Sequence, residues 1–127
     1  MRATLLLLLS FHLYASPAVV PIEYIYSKEY RVCIGDSMSS LDAVNCMEKE
    51  IKVQEKILNN SYAEALNSLQ KFRREDLKKM QKLWREYTDA KCNFYYHKES
   101  GVGALSDVSS CKLEEITKRA IELDRTY

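Results

Sequence analysis

Four cysteines follow an N-terminal segment that has the layout of a secretory signal peptide. Five consecutive leucines, residues 5–9, form the apolar core of this segment, and Ser16-Pro17-Ala18 supplies the small residues of a cleavage site. We expect cleavage after Ala18, with Ala15 as the alternative, so that residues 1–18 are a signal peptide and residues 19–127 form one exported domain. The apolar run is far shorter than the ~20 residues that cross a bilayer, so we expect no membrane-spanning segment.

Export determines what the cysteines are expected to do. In the periplasm or outside the cell, Cys33, Cys46, Cys92 and Cys111 are predicted to form two disulfides. All three pairings are open, and closure of the shorter loops favours Cys33–Cys46 with Cys92–Cys111. A metal site is the alternative, but closely spaced ligand pairs such as CxxC are absent from the sequence. We therefore expect no metal and no cofactor.

Charge and composition exclude several classes of protein. Removing Arg2 with the signal peptide leaves 18 Lys and Arg (19 − 1) against 18 Asp and Glu, which gives a net charge of zero. A neutral chain offers no basis for binding nucleic acid, whose affinity depends on neutralising phosphates. The chain has 3 glycines and 2 prolines, and so few turn residues favour long helices over a sandwich or barrel.

Three stretches carry apolar residues three and four positions apart, the spacing of one helix face. The first helix is predicted over residues 41–70, and its stripe is Val44, Met47, Ile51, Gln54, Leu58, Tyr62, Ala65 and Leu69. The stripe of the second helix is Leu77, Met80, Trp84, Tyr87, Lys91 and Phe94. The stripe of the third helix, capped by Ser109 or Ser110, is Leu113, Ile116, Ala120, Leu123 and Tyr127. The predicted fold is an all-α, disulfide-stapled antiparallel three-helix bundle with an irregular N-terminal lead-in.

The connections follow from the breaks between stripes. Residues 19–36 are predicted to be an extended lead-in tied down at Cys33, with a small strand as the alternative. The chain is predicted to reverse near residues 71–74, and one continuous helix is the competing interpretation. Ser100 to Gly103 is predicted to end the second helix and open a loop. This topology gathers all four cysteines at one end of the bundle.

No cluster of residues has the pattern of an enzyme active site, so the protein is not expected to be an enzyme. His97 is the only histidine after residue 18, and no nucleophile elbow accompanies it. Most acidic residues alternate with lysines, which indicates solvated helix faces: Glu48, Glu50, Glu55, Glu64, Glu75, Asp76 and Glu86. Arg73-Arg74 and Lys78-Lys79 flank Glu75-Asp76 and are expected to form a solvated corner. For Phe94, Tyr95 and Tyr96, core packing is favoured over contact with a partner.

A set of short motifs runs in order through two thirds of the exported chain. They are Asn45-Cys46, Leu58-Asn59-x-x-Tyr62, Gln81-x-x-Trp84, Asp89-Ala90-x-Cys92, Gly101-x-Gly103, Cys111 and Thr117-Lys118-Arg119. From Asn45 to Arg119 the chain resembles the exported bacterial family built around the N-terminal domain of the lysozyme inhibitor LprI. Two features differ from that family: Thr88 stands where an arginine is usual, and no lipobox cysteine is present.

The resemblance implies a binding protein whose partner is a protein: an inhibitor of lysozyme or of a related cell-wall hydrolase. The alternative is a periplasmic structural or assembly factor, and the oligomeric state stays open. The contact surface it implies is the loop near the second disulfide, with candidate residues Tyr95, Tyr96, His97, Lys98, Ser100, Gly101 and Gly103. The matched motif residues are expected to be scaffold, and Asp89 with Arg119 is a hypothetical ion pair between the second and third helices.

Overall fold

The computed structural model describes residues 25–96 and 99–127, and the predicted signal peptide lies outside them. The described chain is all-α, which confirms the predicted class, but it contains four helices. They are α1 (Lys28–Gly35), α2 (Ser40–Ser68), α3 (Lys71–Asn93) and α4 (Gly101–Thr126). No strand occurs within residues 25–96 or 99–127. Helix α1 is the element that the sequence did not predict.

Over Lys28–Gly35, helix α1 replaces the extended segment that was predicted for the lead-in, and that part of the prediction was wrong; residues 19–24 lie outside the described residues. Ser27 begins the helix because its hydroxyl accepts a hydrogen bond from the backbone nitrogen of Tyr30 at 3.0 Å. Glu29 lies in the first turn, where the helix dipole favours an acidic residue. A disulfide joins Cys33 of α1 to Cys46 of α2, with their Cα atoms 5.7 Å apart.

Helix α2 matches the predicted range closely. Ser39 caps its N-terminus by accepting a hydrogen bond from the backbone nitrogen of Asp42 at 3.1 Å. The predicted stripe is the buried face: Met47, Ile51, Gln54, Leu58 and Ala65 are buried, and Val44, Tyr62 and Leu69 are half-buried. Leu69 and Gln70 are extended, so the chain reverses there, slightly before the predicted position. The alternative of one continuous helix is therefore wrong.

Helices α2 and α4 run parallel and form the most extensive helix pair, whereas α3 runs antiparallel to both. The hydroxyl of Ser109 in α4 donates to Glu48 of α2 at 2.7 Å, which places the first halves of these helices side by side. Cys92 near the end of α3 bonds to Cys111 of α4, with their Cα atoms 5.5 Å apart. Because α3 packs on α4 and scarcely on α2, an open cleft separates α2 from α3.

Helix α3 buries a different face from the predicted stripe. Its buried residues are Leu77, Gln81, Thr88 and Cys92. Met80, Tyr87 and Phe94, three members of the predicted stripe, are exposed. The disulfide explains the rotation, because Cys92 must face α4, and Gln81 and Thr88 lie on the same side of the helix as Cys92.

Helix α4 starts earlier than the sequence indicated. It begins at Gly101, so Ser109 and Ser110 lie inside the helix rather than at its cap. Gly101 has φ 63°, the left-handed conformation that favours glycine, and this residue turns the chain into α4. Of the predicted stripe, Leu113, Ile116, Ala120 and Leu123 are buried and Tyr127 is exposed. These four residues join the α2 stripe and Leu77 in one core.

Candidate functional site

Three consecutive aromatic residues, Phe94, Tyr95 and Tyr96, project from the end of α3; we call them the aromatic tip. Phe94 is 85% exposed and Tyr96 is 53% exposed, so the preference for core packing was wrong. The tip is nevertheless ordered by its backbone, since Tyr95 donates to the carbonyl of Cys92 at 3.2 Å and Tyr96 to that of Asn93 at 3.0 Å. Consecutive side chains of this turn point in different directions and cannot all reach the core.

The tip is fastened to α4 on its inner side. Cys92 is completely buried, and its disulfide to Cys111 lies two residues before Phe94. Next to it, the ammonium of Lys91 forms an ion pair with Glu115 at 2.9 Å, and the hydrogen bond that it donates to this carboxylate raises the pKa of Lys91. A covalent bond and a partly buried ion pair therefore hold the base of the tip.

The segment between α3 and α4 is shorter than predicted. It spans residues 94–100, whereas the sequence extended the loop to a helix cap at Ser109 or Ser110. Gly101 and Gly103 consequently belong to the first turn of α4 rather than to a loop. His97 and Lys98, two of the candidate contact residues, lie outside the described residues. Of the remaining candidates, Tyr95, Tyr96 and Ser100 lie in this short segment and are exposed.

A second candidate site is the cleft between α2 and α3. It has a volume of about 270 Å³, and α4 forms its floor. Trp84, Thr88 and Asp89 line it from α3. Thr88 is buried, and among the described residues its hydroxyl has no hydrogen-bond partner. The hypothetical ion pair of Asp89 with Arg119 does not form, because Asp89 is exposed in the cleft and Arg119 pairs with Glu122 at 2.9 Å.

The matched polar motif residues Gln81 and Arg119 form a buried link between α3 and α4. The Nε of Arg119 donates to Oε1 of Gln81 at 2.9 Å. The guanidinium also lies 5.9 Å from the centre of the Trp84 ring, within the range of a cation–π interaction. Asn59, a third matched residue, accepts a hydrogen bond from Arg85 at 3.3 Å on the surface. These contacts stabilise the scaffold that carries the tip.

Glu50 is a buried residue that the sequence placed on a solvated face, and that prediction was wrong. It is 1% exposed and accepts hydrogen bonds from the backbone nitrogen of Ser27 at 3.0 Å and from Gln54 at 2.8 Å. The Ser27 hydroxyl donates to its second oxygen. Gln54 also donates to the carbonyl of Ile25 at 3.1 Å. The available signal was Gln54, a polar residue in the apolar stripe one turn after Glu50.

Surface charges elsewhere are paired along the helices. Arg73 pairs with Asp76 at 3.6 Å and Lys78 with Glu75 at 2.8 Å, as expected for a solvated corner. Within residues 25–96 and 99–127, no group of three or more His, Cys, Asp or Glu side chains could hold a metal ion. None of the described helices combines the length and low charge that a bilayer span requires.

The fold and the aromatic tip define a small disulfide-bonded helical domain with an exposed aromatic surface. The chain belongs to the LprI family, since the family model described as "Lysozyme inhibitor LprI" matches residues 33–123. That match includes all four cysteines and helices α2 and α3 in full. No curated protein and no solved structure shows significant similarity to the chain.

Proposed function

We propose that the protein is an exported inhibitor of lysozyme or of a related cell-wall hydrolase and that the aromatic tip contacts the target. Family membership supports the inhibitory role, because the matching model is that of a lysozyme inhibitor. The two disulfides support export, since such bonds form and persist in oxidising compartments.

The observation that carries the proposal is an exposed aromatic tip on a rigid base. Tyrosine is enriched in the centres of protein interfaces because its ring covers a large area and its hydroxyl makes hydrogen bonds. The Cys92–Cys111 disulfide fixes the base of the tip, so that little conformational entropy is lost when the tip docks.

The chemistry of this segment suits the cleft of a glycoside hydrolase. Such clefts carry a pair of carboxylates on either side of the bond that is cut. Tyr96 brings a hydroxyl, and the sequence that follows it supplies His97 and Lys98, all of which can donate hydrogen bonds to carboxylates. A tip inserted into the cleft would exclude the polysaccharide and so block hydrolysis.

The test is lysis of a peptidoglycan suspension by c-type, g-type and i-type lysozymes in the presence of the oxidised protein. We expect dose-dependent inhibition of one class. Tyr96→Ala should weaken that inhibition, whereas Tyr127→Ala, an exposed tyrosine at the opposite end of α4, should not. Lack of inhibition of all three classes by the folded protein would contradict the proposal. The structural or assembly role would then be favoured.

A further inference from the structure

Helix α3 carries an apolar stripe that faces away from the rest of the protein. Its members are Phe72, Met80, Leu83, Tyr87 and Phe94, which are 71%, 44%, 54%, 60% and 85% exposed. Their spacing keeps them on one side of the helix, about 33 Å from end to end at 1.5 Å per residue. Asp76 lies on the same side, one turn after Phe72, and interrupts the stripe, but exposed apolar residues along most of a helix still mark an interaction site in soluble proteins. We call it the outer face of α3.

The outer face is symmetric about its centre. Leu83 lies eleven residues after Phe72 and eleven residues before Phe94. If two copies of α3 pack antiparallel on a two-fold axis at Leu83, the two Leu83 side chains meet. Phe72 of each copy then lies opposite Phe94 of the other. Leu83 and the two phenylalanines therefore find apolar partners across the axis, as an isologous interface requires, whereas Met80 lies level with Glu86 and Tyr87 level with Lys79 of the other copy.

The charges beside the stripe obey the same symmetry. Lys79 and Glu86 are seven residues apart and so lie on the same flank of the helix, on either side of Leu83. A two-fold axis at Leu83 reverses the helix but keeps each flank on its own side. Lys79 lies four residues before Leu83 and Glu86 three residues after it, so Lys79 of one copy comes within one residue's rise of Glu86 of the other, and the pairing occurs twice.

Lys79 and Glu86 are available for ion pairing across the two-fold axis. Lys79 forms no ion pair within residues 25–96 and 99–127, and Glu86 has only a long contact of 3.9 Å with the ammonium of Lys82. The opposite flank carries two cations, Arg73 and Lys91. Both are already neutralised within one copy, Arg73 by Asp76 and Lys91 by Glu115, so their mutual repulsion is reduced.

We propose that the protein forms an antiparallel homodimer through the outer face of α3, with Leu83 on the two-fold axis. One helix pair of this length is at the small end of specific interfaces, so the dimer should dissociate reversibly in the micromolar range. The aromatic tips of the two copies then lie at opposite ends of the paired helices, where Phe94 packs in the dimer and Tyr95 and Tyr96 remain for contact with a target.

Sedimentation velocity of the oxidised protein, over a series from low to high micromolar concentration, tests the proposal. The native chain should pass from monomer to dimer. Leu83→Glu places two carboxylates together on the axis and should give a monomer throughout the series. The matched control is Ile57→Glu, an equally apolar and exposed position on α2, which should still dimerise. Helical circular dichroism shows whether each variant is folded.

A charge exchange tests the orientation. Lys79→Glu sets carboxylates of the two copies against each other and should weaken the dimer about tenfold or more. Adding Glu86→Lys to that variant should restore dimerisation. The proposal is overturned by a native chain that stays monomeric, by a dimer that Leu83→Glu and Ile57→Glu affect equally, or by failure of the exchange to restore it. A monomer in which Leu83→Glu abolishes lysozyme binding would assign the face to that target instead.

Discussion

Gln81 of α3 and Arg119 of α4 form a buried hydrogen bond of 2.9 Å between Oε1 and Nε. Only about 5% of the surface of Gln81 and 4% of that of Arg119 are exposed. A buried guanidinium needs such partners, because an uncompensated charge in the core is strongly destabilising. Together with the Cys92–Cys111 disulfide and the Lys91–Glu115 ion pair, this contact holds α3 on α4.

Removing one partner of this bond should cost more than replacing both. Gln81→Ala leaves the Nε of Arg119 without its acceptor, while Glu122 still pairs with the guanidinium, and should lower the free energy of unfolding by about 1–3 kcal/mol. The double variant Gln81→Leu with Arg119→Met replaces both polar groups by apolar ones of similar size. It should be more stable than the sum of the two single changes indicates. Urea unfolding of all the variants gives the coupling free energy between the two side chains. Strictly additive losses of unfolding free energy would contradict a stabilising bond between them.

Loss of the Glu50 carboxylate should detach the N-terminal segment from α2. Glu50→Ala leaves the backbone nitrogen and the hydroxyl of Ser27 without their acceptor and removes one of the two acceptors of the Gln54 amide. The expected cost is about 2–3 kcal/mol in the free energy of unfolding. Glu55→Ala is the control, because Glu55 is exposed in the same helix. Equal unfolding midpoints in urea for the two variants would show that the contacts of Glu50 are not stabilising.

The two glycines at the start of α4 should respond oppositely to alanine. At Gly101, φ is 63°, so a side chain strains the backbone, and Gly101→Ala should lower stability by about 1 kcal/mol. Gly103 lies inside the helix, and nothing lies within 4 Å of where a Cβ would be. Gly103→Ala should therefore raise stability by about 0.5–1 kcal/mol. Thermal unfolding of both variants measures these changes, and shifts of the melting temperature with the same sign would contradict the described turn.

Alkaline pH should destabilise the protein partly through Tyr26. Burial, followed by the nearby Glu114 carboxylate, raises the pKa of Tyr26 above its usual value of 10.0. The folded state thus favours the protonated phenol. Its contribution to stability is complete below pH 10.0 and is lost as the pH rises through the raised pKa. Tyr26→Phe should lose less stability above that pH than the native chain, as measured by urea midpoints. Equal losses of stability in the native chain and in Tyr26→Phe would exclude Tyr26 as a cause of the alkaline destabilisation.

The two disulfides should differ in their effect on inhibition. They close loops of similar length, 13 and 19 residues apart in sequence, so removing either should cost about 3 kcal/mol of stability. Only Cys92–Cys111 supports the aromatic tip. Replacing that pair by alanines should abolish inhibition of the target lysozyme, whereas replacing Cys33 and Cys46 should largely preserve it. Equal losses of inhibition at a temperature where both variants are folded would argue against a contact through the tip.

The parts of the fold that followed from the sequence are those in which apolar spacing and burial coincide. The stripes of α2 and α4 have this property, because Leu58 and Leu123 pack in the same core. Helix α3 does not, since half of its buried face consists of Gln81 and Thr88 while its apolar residues face outward. The pattern of a single helix cannot distinguish a face that packs inside the protein from a face left free. Only the constraint from Cys92 could have indicated the rotation.

The remaining errors concern interactions between residues distant in sequence. Helix α1 is short, and its Ser27 cap is held by Glu50, which lies 23 residues away. Glu50 itself stands between lysines at positions 49 and 52, a pattern typical of an exposed face. For the candidate site, the residue types of the tip were found from the sequence. The extent of the loop was not, because a glycine with positive φ can begin a helix as well as end one.

Both disulfides lie at the end of the molecule where α2 and α4 begin, and no such bond lies near the turn at Leu69 and Gln70. Partial opening of the bundle should therefore start at that turn and spread towards the cysteines. Amide hydrogens near the turn would exchange with solvent first, while those around Cys92 and Cys111 stay protected longest. A molecule fastened in this way can lose order at one end and still keep the geometry of its aromatic tip at the other.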